Sequence, residues 1–188
     1  MTADWPVALR GLTESVVATP GPDGRWAVAA LGLEPGEPVT ARTWGRTRTR
    51  RNLERAGRGV VQFTRDPVTF VEAALGVEST DEPVLESADA WAEVSTERLE
   101  TGTDAGTEWV DWALRPVEAG VEREAVATIE RGFNAVIEAT VDASRLGVAG
   151  YDAATLRDRL ARHRAVVDRC GSERDRRAMA RLDELIGE

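Results

Sequence analysis

The apolar repeat of this chain changes period near Gly120, from about two residues to about 3.6, and that switch limits the architecture to strands first and helices afterwards. Upstream, Thr13 to Thr19 and Trp26 to Leu33 are β-prone runs on either side of Pro20-Gly21-Pro22-Asp23-Gly24, so residues 13–33 read as a hairpin. Further strands are expected at Val39 to Thr43, Gly59 to Thr64, Trp91 to Leu99 and Thr107 to Val117. Thr47 to Ala56 predicts a short helix that opens near Thr47 or Thr49 and stops at Gly57. Asp66-Pro67 breaks the strand before it, Val68 to Leu75 predicts a second short helix, and residues 78–90 and 100–106, acidic and polar, read as loops.

Downstream of Gly120, Val126, Ile129, Phe133, Ile137 and Val141 line one side of a helix ending near Ser144 to Gly147. Asp152 caps a second helix with Leu156, Leu160, His163, Val167 and Cys170 on its seam. Gly171 ends it, Ser172 starts a third, and Met179, Leu182 and Ile186 continue the seam. So short a connection forces the last two helices antiparallel. Strands followed by helices give an α+β chain with segregated elements.

A length of 188 residues suits one good core plus a small appendage, or two compact units, but not two full-sized domains, and one main domain is the expectation. No apolar run reaches the length of a membrane span, and Asp4 and Pro6 stand where a signal peptide would be basic, so a cytoplasmic protein without membrane contact is expected. With Cys170 and His163 each alone of their kind, an intrachain disulfide, a zinc cluster, a His-pair metal site and a Ser-His-Asp relay with a spare ligand all lack residues. No metal is expected, and any chemistry is borrowed from a cofactor.

All 24 cationic side chains are arginine, against 33 Asp and Glu, a net charge of −9. A lysine-free acidic surface suits a salt-adapted host, and a GC-rich genome produces the same bias without salt adaptation. The charge is uneven: residues 42–65 carry +7 and residues 66–118 carry −12. The basic island holds Arg46-Thr47-Arg48-Thr49-Arg50-Arg51-Asn52-Leu53, two hydroxyls with several guanidinium forks and one amide. At a helix N-terminus such groups aim donors at an anion, which makes this a candidate phosphate site; a solvated arginine face is the plain alternative.

These residues carry a resemblance. Glu14-Ser15-Val16-Val17-Ala18-Thr19, the turn Thr47-Arg48-Thr49-Arg50-Arg51-Asn52-Leu53, the segment Thr64-Arg65-Asp66-Pro67-Val68-Thr69-Phe70, and Ile137-Glu138-Ala139 with Ser144-Arg145-Leu146 resemble an archaeal family of unknown physiological role whose structures show a flavin-binding split barrel with bound FMN. Ala30, Gln62, Arg46 and Arg50 depart from that pattern, which commonly has proline, asparagine, glycine and tyrosine there. The resemblance implies an antiparallel split β-barrel of the flavin reductase-like and pyridoxamine-phosphate-oxidase-like kind over residues 1–120, recruiting a late strand or the 121–146 helix, then a helical C-terminal bundle over 121–188. It implies that Thr47, Thr49 and Asn52 with Arg46 and Arg48 hold the FMN phosphate. The strand edge at Ala29, Ala30 and Gly32 would lie along the isoalloxazine with Gln62 near the ring, and two copies would form a homodimer.

The functional expectation is an FMN-binding protein, with oxidoreductase chemistry on an unidentified substrate as the enzymatic version and flavin storage as the inert one. The alternative from another class is a nucleic-acid-binding module using residues 42–65. Counterion release would weaken that binding steeply in salt, and the acidic flanks would repel a long polyanion, so nucleic acid is the less favoured partner.

Overall fold

The computed structural model describes residues 3–126 and 128–187; positions 1, 2, 127 and 188, which fall within the expected ranges 1–120 and 121–188, lie outside them. The chain divides into two units. One comprises the residues up to Arg65 together with Val77–Glu124, the other Asp66–Gly76 together with the residues from Ala125 on.

The first unit is a closed barrel of six antiparallel strands: β1 (Thr13–Pro20), β2 (Trp26–Glu34), β3 (Val39–Trp44), β4 (Arg58–Thr64), β6 (Ala88–Asp104) and β7 (Thr107–Val121). Around the barrel they run β1-β4-β6-β7-β3-β2, and the pairing of β1 with β2 closes the circle. The two-residue β5 (Ser79–Thr80) adds to β2 from outside. Alternation sends one face of each strand inward: in β3, Val39, Ala41 and Thr43 are buried while Arg42 and Trp44 face out. Helix α1 (Arg48–Ala56) adds Leu53 to the core, and the N-terminal segment adds Trp5 and Leu9. Inside, the Trp112 indole donates to Thr43 Oγ1 at 2.9 Å, so the buried N–H has its partner.

The second unit contains α2 (Pro67–Leu75), α3 (Arg131–Ser144), α4 (Ala153–Cys170) and α5 (Glu173–Ile186). Its core joins Val71 of α2 to Val136 and Ala139 of α3, Leu160 of α4, and Met179 and Leu182 of α5. Ser172 and Asp175 form a reciprocal capping box that starts α5. Arg174 donates through Nε to Asp66 Oδ1 at 2.8 Å, tying α5 to the N-cap of α2.

Four local expectations differ from the structure. Residues 78–90 are not all loop, because Ser79–Thr80 form β5 beside β2 and β6 begins at Ala88. Residues 100–106 are not a loop: β6 and β7 continue as a two-stranded ribbon to a tight turn at Ala105 (φ 46°) and Gly106 (φ 84°). Both faces of that ribbon are largely wet, so it lacks the one-sided apolar pattern that identifies a strand. Val126 and Ile129 precede α3 and are 90% and 94% exposed. The buried stripe of α3 is instead Gly132, Ala135, Val136, Ala139 and Ala143, small residues that let neighbouring helices approach: a Cβ on Gly132 would stand 2.5 Å from Gly171 Cα. On α4, Cys170 is exposed, whereas Leu156, Leu160 and Val167 are buried and His163 Nε2 lies 3.5 Å from the buried Asp142 carboxylate.

Candidate functional site

The β2 strand is paired on both edges, to β1 on one and to β3 and β5 on the other, and on that second edge the pairing is incomplete. Along β1 every residue from Trp26 to Leu33 has a partner. On the opposite edge β5 pairs with Trp26 and Ala27, Glu78 O accepts from Val28 N–H at 3.2 Å, and β3 pairs with Leu33 and Glu34. Residues 29–32 therefore face a gap on that edge. Because strand polar groups alternate in direction, Ala30 presents its N–H and C=O the same way as Val28, into the gap. Ala29 points inward to the core, while Ala30 and Gly32 lie on the outer face with only small side chains, all three half-buried.

Next to this edge stands the start of α1. Thr47 is its N-cap, with Oγ1 accepting from Arg50 N–H at 3.2 Å, and Gly57 closes it in the left-handed region at φ 63°. The first-turn amides of Arg48 and Thr49 have no partner within a helix of this geometry. No acidic residue occupies the first turn; Arg48 and Arg50 do. That is the wrong sign for the positive end of a helix dipole, and it suits an anion seated there.

The arginines have different engagements. Arg48 is half-buried, and its guanidinium donates to Ser79 Oγ at 2.9 Å and to Glu78 O. Both acceptors are neutral, so its charge stays uncompensated while it ties α1 to the segment that also holds Val28. Arg50 is buried between Glu54 Oε1 at 3.0 Å and Glu108 Oε2 at 3.2 Å; the Glu54 bond, then the Glu108 one, hold its pKa above the ordinary value against the opposing effect of burial. Arg46 is exposed, 3.8 Å from Glu108 Oε2. Arg42 forks onto Asp111 at 2.6 and 2.8 Å, and Arg58 meets Glu93 at 3.1 Å. Much of the basic island is thus paired with acids and offers no continuous cationic strip.

The structure brings together Arg46, Thr47, Arg48 and Thr49 at the α1 N-terminus and Ala29, Ala30 and Gly32 at the gap. Two candidate residues have their amides spent elsewhere. Asn52 Nδ2 donates to Thr19 Oγ1 at 3.1 Å, fastening α1 to β1. Gln62, fully buried, donates to Pro83 O at 2.9 Å and accepts from Leu85 N–H at 2.6 Å, pinning residues 83–85 over β4. The unpaired edge of β2 is the feature that sequence patterns do not reveal, since it depends on where β3 and β5 stop. Among the described residues no group of three His, Cys, Asp or Glu is placed to hold a metal ion, and no helix is long and apolar enough to cross a membrane.

Compared with known proteins, residues 13–123 match the model described as Protein of unknown function (DUF447) N-terminal domain, and residues 130–184 match Protein of unknown function (DUF447). Among solved structures, an FMN-bound DUF447 protein from Methanosarcina mazei is similar with a TM-score of 0.78 and 22% identity, over 94% of this chain and 96% of that one. An FMN-binding protein from Thermus thermophilus with bound p-hydroxybenzaldehyde has a TM-score of 0.43 and 17% identity over 65% of this chain and 81% of its own. Flavoredoxin from Methanosarcina acetivorans has 0.44 and 13%, over 68% and 77%. No curated protein matches the sequence.

Proposed function

This chain belongs to the DUF447 family, and from that premise we propose that its barrel binds FMN in the gap between β2 and the N-terminus of α1. The observation that carries the reading is the coincidence of an unpaired strand edge at residues 29–32 with an acid-free, arginine-bearing helix start, the two linked through Arg48, Glu78 and Val28. The FMN bound by the similar Methanosarcina mazei protein supports the same ligand.

The phosphate is assigned to Thr47, Thr49, the free first-turn amides and the guanidinium groups of Arg46 and Arg48. The ring is assigned to the edge at Ala29, Ala30 and Gly32, where a Cβ on Gly32 would stand 3.3 Å from Leu12 Cδ1 and any bulk would intrude. Asn52 and Gln62 hold the walls of the site rather than the ligand, because their amides already serve the backbone and Thr19. Bound flavin would supply redox chemistry, and the chain's own groups orient it and set its polarity.

An oxidoreductase role, a homodimer and a cytoplasmic setting accompany this proposal as its finer parts. Salt adaptation accompanies it too, on the lysine-free composition with its net charge of −9. The test is to purify the protein with FMN in excess and record its visible spectrum. Retained flavin absorption that is lost on replacing Thr47, Arg48 and Thr49 together by alanine is the expected result; colourless protein, or a triple variant that retains flavin as well as the wild type, refutes it. Anaerobic addition of NADH or NADPH then separates turnover from storage.

A further inference from the structure

We infer that Trp44 is the aromatic wall of this site and stacks on the isoalloxazine, an inference that rests on the FMN reading above. Trp44 lies on the outward face of β3, paired with Trp109 of β7. The Arg42 guanidinium lies against both rings, 3.9 Å from the Trp109 centroid and 5.6 Å from that of Trp44. Asp111 fixes the guanidinium by a two-pronged bond, and Trp109 packs so closely over β6 that a Cβ on Gly102 would meet its Cζ2 at 2.4 Å. The stack is therefore anchored from beneath.

Yet Trp44, at its outer end, remains 46% exposed. Its place explains what that exposed face is for. Continuing the β2–β3 register from Leu33 and Ala41 past the point where pairing stops sets position 44 across from position 30. Trp44 thus borders, from the β3 side, the gap that Ala30 borders from β2, and Gly45-Arg46-Thr47 leads from it directly into the phosphate turn. An electron-rich indole with much of its surface open suits a planar electron-poor ring by offset stacking. Arg42 acts here as a positioning residue.

An indole in contact with a flavin quenches its emission by electron transfer, a property that a merely structural tryptophan does not have. The experiment titrates FMN and riboflavin into wild type, Trp44→Leu, Trp44→Phe and, as control, Trp91→Phe, reading affinity and the emission of bound flavin. Wild type and the Trp91 variant are expected to quench bound flavin. Trp44→Leu should restore emission and weaken both ligands alike, by about 2- to 13-fold. Trp44→Phe should restore emission with most of the affinity kept, which covers the case in which the leucine variant folds poorly. Quenched flavin and unchanged affinity in both Trp44 variants overturn the inference while leaving the FMN reading intact. Failure of the wild type to bind either flavin overturns both.

Discussion

Replacing Thr47 by alanine removes the side-chain oxygen that accepts the Arg50 N–H at 3.2 Å, in a first turn that already carries arginine where a helix favours acid. Loss of such a cap costs about 1 kcal/mol. In the ligand-free protein the barrel unit should therefore melt about 3 to 6 °C lower. A second loss appears only with FMN. One charge-assisted hydrogen bond to the phosphate is worth roughly tenfold in affinity. At a flavin concentration 100 times the wild-type Kd, the stabilisation by ligand should fall from about 2.7 kcal/mol in the wild type to about 1.4 in the variant. Urea denaturation followed by tryptophan emission measures both, because Trp5, Trp26, Trp44, Trp91, Trp109 and Trp112 all belong to the barrel unit and the helical unit contributes none. Thr47→Ser, which keeps the oxygen, should restore both quantities. If the alanine variant loses its cap energy but keeps the full stabilisation by FMN, Thr47 is a helix cap and nothing more, and the phosphate assignment fails.

Other perturbations give independent checks. Leu53→Ala, at a side chain 2% exposed inside the barrel, should cost about 2 to 5 kcal/mol in the same urea assay. Gly132→Ala forces a Cβ to within 2.5 Å of Gly171 Cα and should destabilise the helical unit by about 1 to 3 kcal/mol, seen in far-ultraviolet circular dichroism but not in tryptophan emission. Burial pushes the Asp66 carboxyl up, but the Arg174 fork, the Val68 N–H and the Thr69 hydroxyl outweigh it and hold the folded value below the ordinary 3.8. A lowered folded pKa gives stability that is present above the unfolded value and disappears as pH falls through the folded one, so the advantage of wild type over Asp66→Asn should shrink as pH drops below the ordinary 3.8 and be lost once it passes the lower folded value. An equal advantage at pH 3 and pH 7 would refute that role.

The readable parts of this sequence were those with local chemical punctuation. The Pro20 to Gly24 turn, the helix start near Thr47 with its Gly57 stop, the strand break at Asp66-Pro67 and the Ser172 restart of α5 each act within a few residues, and the structure has all of them, with Asp66 and Pro67 also starting α2. What escaped depends on contacts far apart in the chain. The wet extension of β6 and β7 lacks alternation because no core lies on either side, and α3 buries Ala135, Val136, Ala139 and Ala143 more deeply than Phe133, Ile137 and Val141 because helix spacing selects that face. The candidate site shows the same division. Its hydroxyls and guanidinium groups are contiguous in sequence, whereas the diversion of Asn52 to Thr19 and of Gln62 to the 83–85 backbone depends on partners 21 to 33 residues away.

The insertion of α2 into the midst of the barrel strands has a consequence for synthesis. Helix α2 ends at Leu75 and α3 begins at Arg131, a separation of 56 residues. At ribosomal speeds of roughly 5 to 20 residues per second, α2 waits about 3 to 11 s before its first helical partner emerges. During that interval β6 and β7 can complete the barrel, while Val71, fully buried in the finished protein, has no neighbour to cover it. Nascent chains stalled with residues up to about 125 outside the ribosome, and α3 still inside it, should therefore carry a folded barrel together with a short, sticky helix, and that intermediate is where a chaperone would find its grip.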